Sequence, residues 1–332
     1  MKDRYSAVAA LCVLLASAFA VSCQKPLHEE TERYILVASN INLAYWQEAR
    51  AGLMDAAHGL GVKADLEGPA IYSAHEEVRA FREAVAQHPA GILVAPARPE
   101  LFTLAINSAV AAGIPVVTMD TDAPDSKRIL YIGTDNRQAG MESGKQIATL
   151  MHGKGRLAAI SMPLQLNLEE RVRGVQDALA NFKDVKLVET LDDQGDPRKA
   201  GEALSELIKK GETIDGVVCL EASGGPGAAE AVHRLNLDGK VPIVAMDTNP
   251  ETLDYIQQKV ISATIGQKPY TMAFYGLRFL DDLHHGVVRE FKDWRSAPVS
   301  PLPSRVDTGT NVVNADNLAA FRAAASNRPN PM

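Results

Sequence analysis

Val116-Val117-Thr118-Met119-Asp120 and Ile243-Val244-Ala245-Met246-Asp247 are the two stretches that settle how this chain is built. Each is a short apolar run that stops on an aspartate. Runs that are apolar on both faces suit the interior strands of a parallel sheet covered by helices on both sides. A polar residue at the carboxyl end of such a strand stands where open α/β sheets bind their ligands.

Further runs of the same kind occupy Tyr34–Ala38, Ile92–Ala95, Leu157–Met162, Val217–Leu220 and Ile261–Ile265. The segments between them carry helical periodicity. Ala49, Leu53, Ala57 and Leu60 share one face, Val78, Phe81 and Val85 another, and Val172, Val175, Leu179 and Phe182 a third. The alternation predicts an α/β protein, and it runs twice, before and after about residue 136. Ser39, Asp120, Glu221, Asp247 and, after Gly266, Gln267 end apolar runs. Two doubly wound parallel sheets facing each other would gather these residues around one cleft.

The chain has 332 residues, 46% of them hydrophobic and 23% charged, enough to divide a core between two domains. Its N-terminus opens with Lys2, Asp3 and Arg4, followed by an apolar stretch from Ala7 to Val21 that is short for a membrane span. This pattern predicts a secretory signal over residues 1–22. Ala18-Phe19-Ala20 fits ordinary signal removal, whereas Ala20-Val21-Ser22-Cys23 resembles a bacterial lipobox, which would place a lipid on Cys23 and make residues 23–32 a tether. The expected location is the periplasm or cell envelope, with contact to the membrane only through that lipid. Removing the signal takes away two basic residues and one acidic residue and leaves 32 basic against 40 acidic groups, which disfavours nucleic acid as a partner. Cys12 leaves with the signal, so Cys219, within Val217-Val218-Cys219-Leu220, is expected to be a buried small hydrophobe without a disulfide.

A ligand rich in hydroxyl groups needs carboxylates, amides and a guanidinium at fixed angles, with aromatic rings against its C–H faces. Asp120 and Asp247 could accept hydroxyl hydrogens, Arg171 could donate a fork, and Tyr45 and Trp46 could form apolar walls. Each also has a plainer reading. Asp120 could form an Asx turn, Tyr45 and Trp46 could belong to the core, Arg171 and Arg173 could be solvated, and Ser39 or Asn42 could cap a helix beginning near Leu43.

The string Val37-Ala38-Ser39-x-x-Asn42-x-x-Tyr45-Trp46, followed by Ala51-Gly52, resembles the opening of ribose/galactose-type periplasmic binding proteins. Gly113–Asp120, Ile132-Gly133-Thr134-Asp135-Asn136, Glu170-Arg171-x-Arg173-Gly174, Ile243–Asp247 and Ala263–Gln267 continue the resemblance in family order over roughly residues 33–285. The resemblance implies two lobes joined by three crossing segments, one from 32–134 plus 268–296, the other from 135–267 plus 297–325, with residues 326–332 as a tail. It carries ligand contacts to Ser39, Asn42, Tyr45, Trp46, Asp120, Arg171, Asp247 and Gln267. Thr121 stands where ribose-binding members have arginine, Glu221 where they have asparagine, and Gly195 where many place an aromatic ring. Thr121 and Glu221 therefore join the expected site, and the ligand is expected to be a monosaccharide or polyol that differs from ribose in its hydroxyl pattern or bulk.

The implied function is capture of that ligand by hinge closure and delivery to the permease of an ABC importer. An alternative is docking of the closed receptor on a chemoreceptor or sensor kinase. A sugar-responsive repressor shares the ligand core but would begin with a helix-turn-helix where this chain carries an export signal. A glycoside-acting enzyme would need two carboxylates flanking a scissile bond, which Asp120 and Asp247 could mimic. No catalytic motif supports an enzyme, and no cofactor or metal is expected. Gly224-Gly225-Pro226-Gly227 lacks the lysine of a phosphate loop and is read as a strand-to-helix turn. His284-His285, after Asp281-Asp282, is read as a solvated helix end, because adjacent side chains on a helix do not face one site.

Overall fold

A computed structural model of the chain describes residues 28–29, 31–287, 294, 296, 298–300 and 302–326. The signal, Cys23 and the tail beyond Ser326 lie outside the described residues. From Arg33 the chain forms β1 (Arg33–Val37), α1 (Ala44–Leu60), β2 (Lys63–Glu67), α2 (Ala74–Ala86), β3 (Gly91–Val94), α3 (Pro99–Ala111), β4 (Val116–Met119) and β5 (Leu130–Gly133). It then crosses to α4 (Asn136–Leu150), β6 (Lys154–Ser161), α5 (Leu166–Leu179), β7 (Asp184–Asp192), α6 (Pro197–Lys209), β8 (Gly216–Cys219), α7 (Gly224–Arg234), β9 (Ile243–Met246), α8 (Pro250–Gln257) and β10 (Ala263–Gly266). Helix α9 (Pro269–His284) and strand β11 (Arg305–Asp307) return to the first lobe, and β12 (Asn311–Asn314) and α10 (Leu318–Ser326) to the second.

The first sheet has the order β11-β5-β4-β3-β1-β2 and the second β12-β10-β9-β8-β6-β7. All neighbours pair in parallel except β12, which runs antiparallel to β10. Alternate residues of each strand point to opposite faces, so both faces carry a core. In the first lobe Tyr34, Leu36, Leu93 and Val117 pack on one face with Leu53, Met272 and Leu277, while Ile35, Val37, Ile92 and Val94 pack on the other with Phe81, Phe102 and Ile106. The second lobe repeats this, with Ile160, Val217, Cys219 and Ile243 on one face and Leu157, Val218, Val244 and Met246 on the other. Cys219 is a fully buried free thiol, as its apolar neighbours imply.

Two of the three crossings lie at Thr134–Asp135 and Gln267–Lys268. The third differs. Residues 305–307 pair with Tyr131–Gly133 in the first sheet, so the crossing lies between Asp307 and Asn311 rather than at residue 297. A three-residue strand with one apolar side chain, Val306, leaves no periodicity to read. His284-His285 is also corrected. His284 is exposed, but the His285 side chain is 13% exposed, with Nε2 2.9 Å from Glu32 Oε1. The residues that cover it precede β1 and are remote in sequence. Among the described residues no helix is long and apolar enough to cross a membrane.

Candidate ligand-binding site

Asp120 and Asp247 occupy equivalent positions after β4 and β9, and each has a left-handed backbone, with φ of 64° and 66°. That conformation costs an ordinary side chain roughly 1–2 kcal/mol, and aspartate is among the few that visit it readily. Both are pinned the same way. The Asp120 amide donates to Ile132 O at 3.1 Å and the Asp247 amide to Ile265 O at 2.9 Å. The Asp120 carbonyl accepts from Tyr131 OH at 2.8 Å, and that of Asp247 accepts from Thr264 Oγ1 at 2.6 Å. The two carboxylates are thereby turned out of their sheets into one cavity between the lobes.

Arg171 enters from α5, which lies against α4 at very short range. A Cβ at Gly140 would stand 2.0 Å from Arg171 O, and one at Gly174 2.1 Å from Arg137 O, so only glycine allows this approach. The Arg171 side chain is buried. Its Nε donates to Asn136 Oδ1 at 2.9 Å, Nη1 to Leu220 O at 2.8 Å and Nη2 to Gln267 Oε1 at 2.9 Å. A guanidinium carries five N–H groups, so these bonds leave donors for a ligand. Gln267, in a crossing segment, accepts also from Thr134 Oγ1 at 2.8 Å and donates from Nε2 to Asp247 Oδ1 at 2.9 Å. The site and the hinge therefore share one hydrogen-bond network.

Tyr45 OH donates to Asp120 Oδ1 at 2.7 Å, and its ring meets Trp46 edge to face at 5.0 Å. Burial pushes the Asp120 carboxyl up, opposed by Arg171 and by the hydrogen bonds from Tyr45 and Thr121. Burial likewise pushes Asp247 up to about 7, with Arg171 and the Gln267 amide pulling the other way. Behind Glu221, which accepts from the Gly224 amide, burial and the nearby Glu221 hold the Asp193 carboxyl well above the usual carboxylate range. Gln165 Nε2 and Asn167 Oδ1 are buried at the cavity without a hydrogen-bond partner. A molecule that offers several hydroxyl groups would meet acceptors at Asp120, Asp247 and Glu221, donors at Arg171 and Gln165, and apolar surface at Tyr45 and Trp46.

Eight of the ten expected residues line this cavity: Ser39, Tyr45, Trp46, Asp120, Arg171, Glu221, Asp247 and Gln267. Asn42 does not. Its Nδ2 donates to Ala70 O at 3.0 Å and its amide to Asn40 Oδ1, so Asn40 faces the cavity in its place. Thr121 is buried beside Asp120, with Oγ1 3.3 Å from Asp120 Oδ2, and acts on the site through that residue. Neither Ser39 nor Asn42 caps α1, whose N-cap position is Leu43. Tyr72, Met162, Gln165 and Asn167 also line the cavity and were missed: Tyr72 and Gln165 lie in loops, Asn167 is a polar residue in the first turn of α5, and Met162 ends the run Leu157–Met162 without a polar group to single it out. A Cβ at Gly195 would lie 3.7 Å from Met162 Cε and Sδ and 3.9 Å from Cβ of Tyr72 in the first lobe, so these two residues border the place where many family members carry a ring.

The same fold recurs in solved sugar-binding structures. An arabinose-binding protein from Geobacillus stearothermophilus, AraP, is 34% identical, superposes with a TM-score of 0.76 and matches over 88% of this chain and 99% of its own. A sugar ABC transporter's sugar-binding protein from Bacillus halodurans is 33% identical, with a TM-score of 0.77, over 88% of this chain and 100% of its own. The D-allose-binding periplasmic protein of Escherichia coli (strain K12) is 24% identical over 259 residues, which is 75% of this chain and 83% of that protein. Residues 34–286, which contain both hinge-proximal aspartates and Arg171, match the periplasmic binding protein domain, and the chain belongs to that family.

Proposed function

We propose that this chain is an extracytoplasmic receptor that closes its two lobes over a monosaccharide or polyol and presents the closed form to the permease of an ABC importer. One observation carries the reading. A single cavity, walled by both lobes, holds two buried aspartates, a buried guanidinium with donors to spare, and two buried amides, Gln165 and Asn167, each with an atom that lacks a partner. Hydroxyl groups would complete each of these. Similarity to allose- and arabinose-binding proteins supports an aldose as the first choice. Thr121, Glu221 and Gly195 argue against a ribose-type hydroxyl pattern, since an extra carboxylate, Glu221, faces the ligand. Similarity to binding proteins supports capture without turnover, and a turnover assay is expected to return glycosides intact.

A thermal-shift screen of pentoses, hexoses, deoxysugars and inositols tests the proposal. At least one is expected to stabilise the fold, by about 2.7 kcal/mol at 100 times its dissociation constant, with a change in Trp46 fluorescence in the same titration. A blank across the panel with folded protein would sink the sugar assignment. Reconstitution with the permease then separates import from docking on a chemoreceptor or sensor kinase.

The affinity for that sugar is expected to depend on pH. Asp247 titrates near 7 in the ligand-free fold, and only its ionised form accepts from two hydroxyl groups. Binding should strengthen as pH rises from about 5.5 to 8, and isothermal titration across that range measures it. A flat profile would mean that Asp247 does not contact the sugar.

The lipobox reading is carried forward as part of the proposal, with Cys23 as the first mature residue and the membrane contact made by its lipid. Metabolic labelling with a fatty acid should mark the wild-type protein and miss Cys23→Ala. An unlabelled wild type beginning at Val21 would instead indicate a released periplasmic form.

A further inference from the structure

At the end of the first sheet away from the cleft, four side chains from two distant parts of the chain converge. His28 and Glu32 precede β1, while Asp281 lies in the last turn of α9 and His285 at its C-cap. His28 Nε2 lies 3.1 and 3.2 Å from the two Asp281 oxygens. His285 Nε2 lies 2.9 Å from Glu32 Oε1 and 3.5 Å from Asp281 Oδ1. One ligand atom from each residue can be chosen so that all four lie within 4.8 Å of one another. We propose that His28, Glu32, Asp281 and His285 form a structural site for one Zn2+ ion, which clasps the segment before β1 to the C-terminal end of α9.

Zinc–nitrogen and zinc–oxygen bonds of about 2.0–2.2 Å in a tetrahedron separate neighbouring ligand atoms by about 3.3–3.6 Å. Three of the six separations span 2.9–3.5 Å and the others fall within 4.8 Å, so side-chain shifts of about an ångström bring all four ligand atoms to that spacing. Two nitrogens and two oxygens, with no thiolate, suit zinc, and four protein ligands make the closed shell of a structural site.

Electrostatics favour a cation here twice over. Glu32 and Asp281 are both buried, and something must offset their two carboxylates in a place of low dielectric. A divalent ion does so. The site also caps α9, whose terminal carbonyls present the negative end of the helix dipole. An outer shell is in place as well. Tyr34, fully buried, reaches Glu32 Oε1 at 2.8 Å and Asp281 Oδ1 at 3.0 Å. One phenolic hydrogen cannot serve two carboxylates, so Tyr34 orients them without neutralising them. The five residues of β1 separate this cluster from the cavity by roughly 17 Å, so the ion takes no part in holding the sugar.

Protein purified without a polyhistidine tag and stripped by a chelator is titrated with Zn2+ by calorimetry and with Co2+ by visible absorption. One ion per chain is expected, with the intense Co2+ spectrum of a four-coordinate site that Zn2+ then displaces. His28→Ala and His285→Ala should each weaken Zn2+ binding at least 100-fold, and Tyr34→Phe by about 10-fold, as removal of an outer-shell partner does. The far-UV spectrum of His28→Ala should match wild type, because that ring is partly exposed and lies outside the sheet, so this variant decides the matter should His285→Ala fail to fold. Absence of saturable binding, or unchanged affinity in His28→Ala, overturns the site.

Discussion

Asp247→Asn is expected to weaken binding of the best sugar by about two orders of magnitude, or about 2.7 kcal/mol, while the ligand-free melting temperature holds or rises slightly. Hydrogen bonds to a charged group contribute about 1.5–3 kcal/mol each, and Asp247 has one donor on it, Gln267 Nε2, among the described residues. Its remaining acceptor capacity lies at the cavity. Asparagine is the right substitution, because at a φ of 66° it tolerates the backbone that would strain alanine. The stability effect has a definite sign. Burial raises the folded-state pKa to about 7 from 3.8, so the folded protein holds the proton more tightly than the unfolded chain. The associated stability is full below about pH 4 and is lost as pH rises through 7. Asparagine removes that loss, so at pH 8 the variant should melt no lower than wild type, and the pH dependence of affinity should flatten. Asp254→Ala, which breaks an exposed pair with Arg322, is the control and should change neither affinity nor stability by more than about 1 kcal/mol. A variant that destabilises the ligand-free fold yet binds normally would make Asp247 a structural residue.

The fold was readable because strands buried on both faces need continuous apolar runs, and runs such as Val116–Met119 and Ile243–Met246 have no other good explanation. The aspartates that follow them were readable for the same reason, since the end of a strand is fixed once the strand is. What was not readable depended on contacts between distant segments. Asn249 sits at the N-cap position of α8, but its side chain donates to Ala222 O instead of capping the helix. Gly140 and Gly174 are isolated glycines in helical patterns until α4 and α5 are seen to touch. Gln165 and Asn167 are ordinary polar residues in sequence, and become informative only when burial leaves Gln165 Nε2 and Asn167 Oδ1 unpaired.

Arg171→Ala should abolish detectable sugar binding and also destabilise the ligand-free protein, by about 3 kcal/mol or more at pH 8. The guanidinium is the cation that opposes the burial of Asp120 and Asp247, and it satisfies Asn136, Leu220 O and Gln267 at once. Without it the two carboxyls rise further and hold protons. The destabilisation should therefore shrink at pH 5.5, where Asp247 is already protonated, and chemical denaturation at the two pH values measures the difference. Because a loss of fold alone could abolish binding, Arg171→Lys carries the sharper test. Lysine keeps the charge, and with it much of the stability, but an ammonium cannot reproduce a planar fork that serves three fixed acceptors and a ligand together. Affinity should fall at least 100-fold in Arg171→Lys while the fold survives. Retained affinity would mean that Arg171 serves the cavity by its charge alone, and that the donor to the sugar is the amide of Gln165.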